Sequence, residues 1–142
     1  SELNWKPLFM GGDGYSPNIF EIAGSAMEGT YWVYPTSDAD PKLAGLIEKY
    51  EKEYGKKPTE ILNLTFGYDI LQMILNAVNT AGKAEGPAVR DAIENTRDLQ
   101  VTHFKWTVDK DTHNPLNKPA AVLQAQDGKL IYLETWDPQA GF

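Results

Sequence analysis

Cysteine is absent from the 142 residues, so neither a disulfide framework nor a thiolate metal site is available, and redox compartment leaves no mark on the composition. Positive charge is scarce. Thirteen Lys and Arg face twenty Asp and Glu for a net charge of −7, and the bases are scattered, with no basic stripe interleaved with aromatics. Nucleic acid and anionic membrane surfaces are therefore not expected as partners. No run of about 18 consecutive apolar residues is present, so no membrane insertion is expected in this segment. Catalytic signatures are missing as well: there is no Gly-x-Ser-x-Gly elbow, no phosphate-cradling Gly-x-x-x-x-Gly-Lys-Ser/Thr loop and no His-Glu-x-x-His pair. The first residues, Ser1-Glu-Leu-Asn-Trp-Lys6, carry no basic or apolar leader and no initiating Met, and read as cut from something longer.

What is present is globular in character, 42% hydrophobic and 11% aromatic, in a length that suits one domain. Its most informative stretch is Pro7-Leu-Phe-Met-Gly-Gly-Asp-Gly-Tyr15, a buried-looking apolar run that breaks into three glycines around one acid, Asp13. Such a turn can bring backbone close to a ligand, and a lone carboxylate at its tip suits a positively charged one. The same residues also make an ordinary turn, because Gly supplies positive φ and Asp tolerates left-handed geometry.

Ser16 to Gly24 reads as one short helix with a Gly stop, and Gly29 to Tyr34, β-branched and aromatic and closed by Pro35, as a strand. Between Pro41 and Tyr54 the apolar positions Leu43, Leu46, Ile47, Tyr50 and Tyr54 recur every three or four residues, an amphipathic helix that Gly55 ends. Thr59 to Ala81 is a longer helix, with Leu64, Tyr68, Leu71, Ile74, Leu75 and Val78 on one side and Gly82 at its end. Pro87 to Thr96 is a third helix. His103 to Val108 alternates as a strand, and Ala120 to Gln126, Asp127-Gly128 and Lys129 to Trp136 form a hairpin, since Asp-Gly is a strong hairpin signal. Too few parallel-type strands exist to cover three amphipathic helices, so part of a sheet reads as missing.

Gly11-Gly-Asp-Gly14, Ile22-Ala-Gly24, Met27-Glu-Gly-Thr-Tyr31, Tyr50-Glu-Lys-Glu-Tyr-Gly55, Tyr68-Asp69 and Asn76-Ala-Val-Asn-Thr-Ala-Gly82 occur in an order and spacing that resembles the C-terminal two-fifths of the type I periplasmic binding proteins, above all the branched-chain amino-acid (Leu/Ile/Val) receptors of ABC transporters. The resemblance implies an α/β fold of two Rossmann-like three-layer lobes, of which this chain supplies only the C-terminal portion of each. It implies that residues 1–36 belong to the second lobe, 37–117 to the first, and 118–142 to a hairpin that returns to the second.

It further implies a substrate-binding component, not an enzyme, that captures a small amino acid in an interlobe cleft and delivers it to an ABC permease in the periplasmic or extracellular space, with membrane anchoring through a preceding segment as a further expectation. By the same resemblance Asp13 accepts the ligand's α-ammonium, Gly12 and Gly14 allow close approach, and Tyr15 walls the site. No cofactor is implied. The chain is expected to need its N-terminal remainder, or a second copy by strand exchange.

The chain departs from the family pattern at Thr102-His-Phe-Lys-Trp106 and Thr112-His-Asn-Pro-Leu-Asn-Lys118. His103 and His113 match no metal spacing and read as solvated loop residues, so no metal site is expected. Trp32, Tyr34, Trp106 and Trp136 could stack on a ligand but, as strand residues, read as core. Two other functions stay open: a ligand-sensing domain of the same fold in a signalling protein, and a small α/β enzyme that uses Asp13 as a base.

Overall fold

A computed structural model of the chain describes residues 7–12, 14 and 18–138. These divide into two compact units, one made of the described residues up to Ser37 together with Ala120–Trp136, the other of Asp38–Pro119 together with the described residues from Asp137 on.

The first unit is a four-stranded sheet with one helix. Strand β1 (Met10–Gly11) pairs parallel with β2 (Tyr31–Tyr34), which pairs antiparallel with β6 (Ala120–Gln126), and β6 pairs with β7 (Lys129–Trp136) across the Asp127-Gly128 turn. The order is β1-β2-β6-β7. Asp127 and Gly128 both adopt positive φ, the geometry that matches a two-residue turn to the twist of its strands. Helix α1 (Ile19–Ala23) follows the glycine turn and runs into a short 3-10 helix, Gly24–Met27.

Trp32 anchors this unit. It is fully buried, joins Met27 and Leu123 in the core, and stacks on Phe20 of α1 at 5.8 Å between ring centroids. Its indole N–H donates to Thr30 Oγ1 at 3.1 Å, so the one polar atom of a large buried ring is satisfied. Trp136 departs from the core expectation: it lies at the end of β7, an edge strand, and is exposed. Leu8, Phe9 and Met10 are exposed too, because β1 is the opposite edge and pairs over only two residues.

The second unit holds α2 (Ala44–Tyr54), α3 (Ile61–Ala81), α4 (Gly86–Glu94) and a small antiparallel sheet of β3 (Leu99–Gln100), β4 (Lys105–Val108) and β5 (Pro115–Leu116). The helix expected from Pro41 opens instead as a 3-10 turn, Pro41–Leu43, because the Asp40 carboxylate accepts from Lys42 N at 2.9 Å and caps it there. Gly55 and Gly82 close α2 and α3 in the left-handed conformation that a side chain would strain.

Helix α3 turns an unexpected side inward. Thr65, Asp69 and Ala77 are buried, whereas Tyr68, Leu71, Ile74 and Leu75, on the apolar stripe, are exposed. At 21 residues and a mean hydropathy of 1.3 it is long and apolar enough to cross a membrane by length and composition, which the search for an uninterrupted apolar run overlooked because Asn, Thr, Gln and Asp interrupt it. Asp69 sits in its middle, buried and hydrogen-bonded within the unit, as the helix of a folded unit requires.

Candidate functional site

The glycine turn lies at the carboxyl end of β1, the edge strand that runs parallel to β2, and open α/β sheets place ligands at the carboxyl ends of their parallel strands. Its entry is fixed by β-pairing: Tyr31 N donates to Phe9 O at 2.9 Å, and Gly11 stands opposite Trp32. Helix α1, later in the sequence, carries Phe20, which stacks on that same Trp32.

Gly12 and Gly14 do not hold positive φ, and a Cβ built on either meets no atom of the described residues beyond its chain neighbours within 4 Å, as is also true of Gly45, Gly67 and Gly86. Neither backbone conformation nor packing against the described residues requires glycine at these positions. At these two glycines the turn does not draw on positive φ. What a side chain would enter is open space. Asp13 and Tyr15, the other two expected site residues, lie outside the described residues.

Of the two histidines, His113 is exposed and its Nδ1 lies 3.5 Å from Glu94 Oε1, but His103 is only 5% exposed, contrary to its reading as a solvated loop residue. Its ring packs edge-on against Phe104 at 5.2 Å, and its Nδ1 lies 3.0 Å from Thr102 Oγ1. The burial follows from Asp69, whose carboxylate holds the preceding Thr102 by both N and Oγ1 and so draws the segment onto α3. Sequence reasoning saw Tyr68-Asp69 only as part of a family pattern. A lone acid on the polar side of a long apolar helix was the available signal.

Among the described residues, no group of three or more His, Asp or Glu side chains gathers in a way that could hold a metal. Two carboxylate and guanidinium groups depart from their ordinary ionisation. The Thr112 backbone N–H and hydroxyl, with the Asp111 N–H, hold the Asp109 carboxyl below the usual carboxylate range. The Asp91 carboxylate, by hydrogen bond and charge, raises Arg90 further. Both are solvent-exposed, which marks them as loop and helix-surface chemistry.

A model of the periplasmic binding protein family matches residues 2–129. No curated protein matches the chain. Among solved structures, a leucine binding protein, LivK, from Thermotoga maritima is 24% identical with a TM-score of 0.73, over 98% of this chain and 40% of that one. The branched-chain amino acid transporter substrate binding protein LivJ from Streptococcus pneumoniae, in complex with isoleucine, is 20% identical with a TM-score of 0.71, over 96% of this chain and 39% of that one. A leucine-, isoleucine-, valine-, threonine- and alanine-binding protein from Brucella ovis, in its closed conformation, is 20% identical with a TM-score of 0.71, over 99% of this chain and 39% of that one. The chain spans about two fifths of the length of each.

Proposed function

The chain belongs to the periplasmic binding protein family, and we propose that it forms the C-terminal part of a receptor for a small amino acid, branched-chain in type, that hands its ligand to an ABC permease outside the cytoplasm. The observation that carries this reading is the family match over residues 2–129, with the glycine turn following the carboxyl end of β1. A ligand close to the backbone gives glycine a reason there.

In this reading Asp13, between the two glycines, accepts the ligand's α-ammonium, and Tyr15 walls the site. A charge-assisted bond of this kind contributes about 1.5 to 3 kcal/mol in a closed cleft. Residues 1–36 and 118–142 form part of one lobe and 37–117 part of the other; the division of the chain at Ser37 and at Pro119 supports this, whereas the residues from Asp137 on group with the second unit. Ligand binding then shifts a hinge equilibrium from open to closed.

The exposed apolar stripe of α3 and the exposed Ile131 and Leu133 of β7 favour a further partner: an N-terminal remainder of a longer protein, or a second copy by strand exchange. Either would cover surface that water otherwise meets.

Calorimetric titration tests the proposal, with leucine, isoleucine, valine and a mixed amino-acid panel added to the chain together with that N-terminal complement. Stoichiometric binding with unchanged ligand is expected, weakened about 10- to 150-fold in Asp13→Asn. Absence of binding by any amine-bearing ligand, or equal affinity in the variant, overturns it.

A further inference from the structure

We draw no further inference here: the strongest candidate, the cavity of about 230 Å³ between α3 and the β4–β5 pair, is an apolar groove walled by Phe66, Ile70, Phe104 and Trp106, and nothing in the structure shows what covers it.

Discussion

Asp69 and Thr102, 33 residues apart, are joined by two hydrogen bonds, Thr102 N to Asp69 Oδ1 at 2.9 Å and Thr102 Oγ1 to Asp69 Oδ2 at 3.0 Å. The pair fastens the middle of α3 to the segment that leads into β4, and it buries an acid that is only 3% exposed. Asp69→Ala is expected to lower stability by about 1 to 3 kcal/mol, because the Thr102 donors lose a buried acceptor. The loss should appear as a fall in Tm of about 3 to 10 °C for a chain of this size. Asp69→Asn, which keeps an acceptor for Thr102 N, should fall by less. A thermal scan in which Ala and Asn behave alike would show that the pair contributes little.

Gly12 and Gly14 separate a structural role from a binding role. With open space above both and no positive φ at either, Gly12→Val and Gly14→Val are expected to change stability by no more than about 0.5 kcal/mol. Amino-acid affinity should nonetheless fall by about tenfold or more as the new side chain fills the approach to the backbone. Denaturant midpoints and titration of the same samples check both halves, and a stability loss with unchanged affinity would return these glycines to an ordinary turn.

Trp32 is the residue whose loss the first unit should tolerate least. Trp32→Ala removes the ring on which Phe20 stacks and leaves a cavity among Met27, Phe20 and Leu123. A cost of about 3 to 5 kcal/mol is expected, with protease cleavage appearing first in residues 7–37. Cleavage confined to Asp38–Pro119 would contradict the placement of this ring at the centre of the first unit.

Asp109 sets an acid limit on its own loop. Its folded-state pKa is lowered, first by the Thr112 backbone N–H, so its hydrogen bonds contribute stability above the ordinary carboxylate value of about 3.9 and lose it as pH falls through the lower folded value. The Thr112 and Asp111 amide resonances are expected to stay put from about pH 6 down to about pH 4 and to move below that. In Asp109→Asn they should not titrate at all. A transition centred above the ordinary value would reverse the sign.

The uncovered stripe of α3 predicts association without a folding cost. Leu71→Glu and Leu75→Glu, at exposed positions, should leave the chain's own Tm unchanged within about 0.5 kcal/mol equivalent. They should abolish its capture by the N-terminal complement in size-exclusion light scattering. Retained capture would mean that another surface carries that contact.

The sequence by itself determined the elements whose signals are local. Period-3.6 apolar spacing drew α2, Gly55 and Gly82 stopped α2 and α3, and Asp127-Gly128 turned β6 into β7, because backbone propensity and turn stereochemistry act within a few residues. Six short motifs in order gave the family, and with it the acid at the glycine turn as the residue to test first. Only the tertiary structure decided which side of α3 faces inward, that His103 is buried while His113 is exposed, that Trp32 is core while Trp136 is not, and that β6 pairs with β2 across the whole second unit of sequence. Burial is a property of what packs against a residue. Asp69 and the Thr102 that it holds lie 33 residues apart, where spacing along the chain carries no information.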